Sequence, residues 1–114
     1  MASSGLIGPF RLDPRTISVE ITRTSAGTYA LGEVRSDGGF YIYYVGRSDT
    51  DVGNRLLDHA GKYPAFKYGY SSSPQAAFEK ECELYHNFGP PDNTLHPDRP
   101  KNSGWKYPHC RQFD

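Results

Sequence analysis

The chain has 114 residues, enough for one compact domain with a modest core and little room for a second. Basic and acidic side chains balance at 13 each, so the overall basic excess common in nucleic-acid binders is absent. Any contact with a polyanion has to come from a local patch or be helped by a partner. Only 36% of the residues are apolar, but nine Tyr and six Phe are present, so aromatic rings must supply much of the core. Cys82 and Cys110 are isolated and read as free thiols rather than a disulfide framework or zinc site. No apolar run approaches the roughly 20 residues of a membrane span, and the first residues lack a secretory pattern. The expected protein is soluble and cytoplasmic.

Residues 1–15 carry two prolines and little periodicity, and read as an arm or leader. Residues 16–22, Thr-Ile-Ser-Val-Glu-Ile-Thr, alternate between polar and apolar and predict an extra, half-buried strand. Residues 28–34 and 40–45 predict two further strands. Asp37-Gly38-Gly39 between them supplies the positive φ angles that a hairpin turn needs.

Residues 49–61 predict a short helix, capped by Asp49 or Thr50 and ended by Gly61. Residues 66–70 predict a strand. Ser72-Ser73-Pro74 then opens a second helix reaching about Phe88, stopped by Gly89-Pro90-Pro91. The remainder is rich in Pro, Asn and Gly and is expected to be irregular, packed down by Trp105. These elements predict an α+β fold: a small antiparallel or mixed sheet containing a β-hairpin and flanked by helices. The expected organisation is an N-terminal arm over 1–24, a core over 25–93 and a tail over 94–114.

On the wheel of the second helix, Ala77, Phe78, Cys82, Leu84, Tyr85 and Phe88 form an apolar stripe, and Glu81 projects from its middle. A carboxylate there must be protonated, paired with a cation or bound to a metal, because an unpaired buried charge is expensive. Arg55 and His59, four residues apart, share a face of the first helix. Arg55 is the cation expected either to pair with Glu81 or to await a phosphate.

Gly27-Thr28-Tyr29 and Tyr44-Val45-Gly46, on adjacent hairpin strands, resemble the two half-motifs of the GIY-YIG nuclease family. Arg55-Leu56-Leu57-Asp58-His59, the helix bearing Glu81, and Asn93 follow in the order and approximate spacing of that family. Thr28 stands where the family usually has Ile, and the hairpin between the half-motifs is slightly longer than usual. Strand alternation places Tyr43 and Tyr44 on opposite faces, so Tyr44 is the one assigned to the site.

The resemblance implies a metal-dependent endonuclease acting on nucleic acid, most simply DNA, with one Mg²⁺ or Mn²⁺ held by Glu81. It assigns Tyr29, assisted by Tyr44, to activation of the attacking water, with metal and Arg55 favouring the phenolate. Arg55 would stabilise charge on the phosphate, and His59 is a base or a hydrogen-bond partner of the tyrosine. Arg47 and Lys67 are candidate phosphate contacts, and Asn93 ties the following loop to the site. A single site cuts one strand at a time, which leaves room for a homodimer or a protein partner that supplies targeting. The competing readings are a non-catalytic nucleic-acid- or protein-binding module of the same fold, and a structural domain in which Glu81–Arg55 is an internal ion pair.

Overall fold

The computed structural model describes residues 5–93. The expectations for Trp105, Cys110 and the 94–114 tail lie outside the described residues. The fold is α+β, with a four-stranded antiparallel sheet in the order β1-β4-β2-β3. Its elements are β1 (Ile7–Arg11), α1 (Pro14–Glu20), β2 (Gly27–Val34), β3 (Phe40–Ser48), α2 (Val52–His59), β4 (Ala65–Tyr70) and α3 (Pro74–Phe88). No helix among the described residues is long and apolar enough to cross a membrane.

The segment predicted as a strand over 16–22 is helical. Asp13 caps α1 by accepting the amide of Thr16 at 2.8 Å, and Pro14 occupies the first turn, where a missing N–H costs nothing. Ile17 and Ile21 lie four apart and pack into the core, whereas Val19, the third member of the alternation, is 66% exposed. The extra strand lies earlier, at Ile7–Arg11, and pairs with β4. The described portion of the expected arm, residues 5–24, is therefore part of the folded body, with Leu12 and Ile17 inside the main core.

The central strand β2 is buried along most of its length, because each face carries its own cluster. Tyr29 and Leu31 join Leu12, Ile17, Val52, Leu56, Phe66 and Tyr68 beneath α1 and α2. Ala30 joins Ile42, Val45 and Leu84 beneath α3. Thr28, on the α3 side, donates its hydroxyl to the carbonyl of Ala77 at 2.9 Å, anchoring the start of α3 to the sheet. The cap of α3 is Ser73, with Pro74 next and Gly89 in the left-handed conformation closing the end, as expected. The cap of α2 is Asp51 rather than Asp49 or Thr50, and that helix ends at His59 with Ala60 as its C-cap.

A β-bulge shifts the β2–β3 register: Leu31 pairs with Tyr44 but Gly32 pairs with Ile42. Ile42 and Val45 both join the α3-side cluster. Tyr44 approaches His59 on the other side, with ring centroids 5.4 Å apart, and Tyr43 stacks at 6.2 Å on Tyr63, which packs against the same core. The expected opposition of Tyr43 and Tyr44 is thus removed by the bulge. Gly32 is required there, since a Cβ would overlap the carbonyl of Tyr41.

β3 is a sheet edge, and the segment after α3 closes part of it. Asn93 accepts from the Val45 amide at 2.8 Å and donates to the Val45 carbonyl at 2.9 Å, while the Asp92 amide donates to the Tyr43 carbonyl at 2.8 Å. Replacing Asn93→Ala removes both side-chain bonds beside a fully buried residue. It is expected to cost about 1–3 kcal/mol and to speed amide exchange at Val45 more than at Leu31, which hydrogen-exchange NMR with urea denaturation checks.

Candidate active site

One cleft at the β3 edge, about 360 Å³ in volume, is lined by Tyr29, Tyr44, Gly46, Arg47, Ser48, Asp49, Arg55 and Glu81. Tyr29 and Tyr44 reach it from the side of the sheet covered by α2, and Arg55 from α2 itself. Arg47 and Glu81 reach it from the side covered by α3. Gly46 makes this union feasible. It pairs with Tyr29 across the ladder, and a Cβ there would overlap the Tyr29 ring and hydroxyl, with even Cε2 only 2.9 Å away. The absent side chain lets a large, 1% exposed tyrosine bring its hydroxyl to the strand edge.

The Tyr29 hydroxyl and His59 Nε2 share a hydrogen bond of 3.0 Å, and the Arg55 guanidinium lies against the same hydroxyl. Burial holds His59 below its ordinary pKa of 6.5, and the cations Lys62 and Arg55 reinforce the shift, so the ring is neutral at pH 7. Burial also drives the Tyr29 phenol strongly upward, Tyr44 adds to this, and Arg55 only partly opposes it. The expected bias toward a phenolate is therefore reversed by the protein's own groups: Tyr29 is a neutral phenol beside a neutral imidazole. An Arg-Tyr-His chain of this kind can relay a proton without any member being a strong base.

Glu81 is buried, at 8% exposure, on the apolar stripe where the helical wheel placed it. Its partner is Arg47, not Arg55. Arg47 Nη1 donates to Glu81 Oε1 at 2.6 Å, and its Nε donates to Asp49 Oδ1 at 3.1 Å. The Arg47 side chain is only 15% exposed and lies 5.1 Å over the Phe78 ring. It is thus an integral wall of the cleft rather than a solvated surface charge. Desolvation nevertheless outweighs Arg47 and keeps the Glu81 carboxyl above its ordinary value of 4.5.

The remaining expected contacts stand apart. Lys67 does not line the cleft, and its ammonium sits 5.3 Å over the Phe40 ring. Asn93 commits its amide to the Val45 backbone, as a positioning group would. Asp49, which sequence reasoning passed over except as a helix cap, lines the cleft. Its signal was its place two residues after Arg47, immediately past the end of the strand that carries the second half-motif.

Among the described residues no group of three or more His, Cys, Asp or Glu is placed to hold a metal. The donors present, Glu81 with Asp49 nearby, suit an ion that keeps most of its water and accepts one carboxylate, as Mg²⁺ and Mn²⁺ do. No protein-family model, curated protein or solved structure matches this chain.

Substituting Gly46→Ala should push the Tyr29 ring out of place, and is expected to lower the melting temperature and alter the near-ultraviolet tyrosine dichroism. Acid should weaken the protein through His59. Its folded pKa lies below the unfolded value, so its contribution is complete above pH 6.5 and is lost as pH falls through 6.5 toward the folded value. Glu81, with a raised folded pKa, contributes in the opposite sense as pH rises above 4.5. The stability difference between wild type and His59→Gln isolates the histidine. That difference should diminish from pH 7.5 to pH 5 in urea titrations, and a constant difference would refute the assignment.

Proposed function

We propose that this chain is a divalent-metal-dependent endonuclease of the GIY-YIG type that hydrolyses phosphodiester bonds in DNA. The observation supporting it is convergence. Tyr29, Tyr44, Arg55 and Glu81, assigned from scattered motifs on β2, β3, α2 and α3, line a single open cleft, with His59 bonded to Tyr29.

The roles follow from the local chemistry. The cleft admits a phosphodiester at the strand edge, where Arg55 and Arg47 offer planar, bidentate guanidinium groups. Glu81 would hold one Mg²⁺ or Mn²⁺, which when bound supplies Lewis acidity to the phosphate and the leaving oxygen. His59, neutral with Nε2 at the Tyr29 hydroxyl, accepts the phenolic proton as that hydroxyl takes one from an attacking water. Tyr29 therefore acts as a relay, with Arg55 steadying its oxygen as charge passes through it. Tyr44 packs at 5.4 Å against His59 and restricts the imidazole. Asn93 holds the backbone of Val45, and so the strand that carries Tyr44 and Arg47.

A non-cutting module of the same fold is the second reading, favoured by one observation: the proposed metal-binding carboxylate is engaged by Arg47 in the protein alone. Cleavage of a panel of labelled duplex, branched, flapped and single-stranded DNAs with Mg²⁺, Mn²⁺ or EDTA separates the two. The expected outcome is metal-dependent cutting, abolished in a folded Glu81→Gln protein and lowered about 10²–10⁴-fold in His59→Ala. Binding without cutting by the folded wild type on every substrate would establish the module instead.

A further inference from the structure

Arg47 sits between two carboxylates, with Glu81 at 2.6 Å on the buried side and Asp49 at 3.1 Å on the rim. Two of the three side chains are largely buried, Arg47 at 15% and Glu81 at 10% exposure, whereas Asp49 is 40% exposed. The guanidinium thus spans from a dry wall of the cleft to its wet mouth. The charged groups lining the cleft are Arg47, Arg55, Asp49 and Glu81, which balance formally. A divalent ion entering that cleft alone meets a carboxylate already compensated and a fixed positive charge beside it. A phosphodiester entering alone finds two guanidinium groups already turned inward.

We infer that Arg47 is an electrostatic latch: it occupies Glu81 in the free protein and passes to the substrate's phosphate, exposing Glu81 to the metal only when nucleic acid is in the cleft. The inference rests on the nuclease reading of the site and adds an order of assembly to it. Guanidinium groups bind phosphate in the same forked geometry as carboxylate, so Arg47 keeps a charge-assisted anionic partner through the exchange and its cost falls on Glu81. Once Arg47 turns to phosphate, Glu81 is left as a buried carboxylate without its hydrogen-bonded cation, a place that a metal ion then takes. Asp49, on the rim, holds Nε while Nη1 changes partner, so the guanidinium pivots and stays in the cleft. Metal and nucleic acid should therefore bind with positive coupling, and the coupling should be reciprocal. The latch also separates this site from one where Arg47 only braces α3 against β3, because a brace leaves metal affinity indifferent to the backbone charge of the DNA.

The test measures Mn²⁺ binding at pH 8 by the loss of the free-ion paramagnetic resonance signal, without relying on cleavage. Wild type, Arg47→Met, Arg47→Lys and Glu81→Gln are compared, each shown to melt cooperatively. Each is titrated alone, with phosphorothioate DNA, which is charged and slowly cut, and with methylphosphonate DNA, which is uncharged. The latch predicts that Arg47→Met alone binds Mn²⁺ about tenfold or more tighter than wild type alone, within the usual range of coupling. Arg47→Lys, which keeps the charge, should remain as weak as wild type. Phosphorothioate DNA should tighten wild type by a similar factor and Arg47→Met by much less, whereas methylphosphonate DNA should tighten neither.

Equal Mn²⁺ affinity in wild type and Arg47→Met, with binding lost in Glu81→Gln, overturns the latch and leaves the nuclease reading standing. Absence of Mn²⁺ binding in every protein and condition overturns both. If Arg47→Met does not fold, the two DNA backbones compared on wild type decide the matter: equal tightening by charged and uncharged DNA refutes the latch.

Discussion

The structure depends on a central strand whose two faces are both occupied. β2 lies between β4 and β3, and its side chains enter the α1–α2 core and the α3 core in alternation. Elements on opposite faces of a sheet are normally insulated from one another by the sheet itself. Here the insulation fails at one point, the edge of β3 at Gly46, where the ladder carries no side chain opposite Tyr29. The cleft forms at that gap. Its tyrosines, with His59 bonded behind Tyr29, come from one face and its ion pair from the other, and neither core alone would assemble them.

That origin accounts for the division of character within the site. The Tyr29–His59 pair joins a fully buried phenol to a half-buried imidazole, both uncharged, and burial is the largest influence on both groups. The Arg47–Glu81–Asp49 group is charged and graded in exposure. The neutral pair and the charged group are thus separate clusters that meet only at the cleft. Among the described residues no buried side-chain nitrogen or oxygen lacks a hydrogen-bond partner, so the buried polar atoms of both clusters are satisfied in the protein alone.

Much of this was legible in the amino acids, for local reasons. Asp37-Gly38-Gly39 announces the hairpin, Ser73-Pro74 and Gly89 bracket α3, and one carboxylate on an apolar stripe marks Glu81 as unusual. The failures share a different cause. At 17, 19 and 21 the alternation of a strand and the i, i+4 spacing of a helix coincide, and only the cap at Asp13 and the outward turn of Val19 distinguish them. Arg47 is not legible as the partner of Glu81 because the choice between two arginines is made by the sheet register and not by any spacing along the chain. The bulge likewise leaves no mark on strand periodicity, yet it decides which tyrosines share a face.

The bulge also has a mechanical meaning. Between Leu31–Tyr44 and Gly32–Ile42 the hairpin absorbs one surplus residue, so the distal portion, from Gly32 through the turn to Ile42, is out of phase with the proximal portion that carries Tyr29, Tyr44 and Gly46. It behaves as an expansion joint: changes in the length or twist of the hairpin tip are taken up there, before they reach the residues of the cleft. The tip of this hairpin can therefore grow, shorten or acquire new contacts while the ladder that seats the tyrosines keeps its phase.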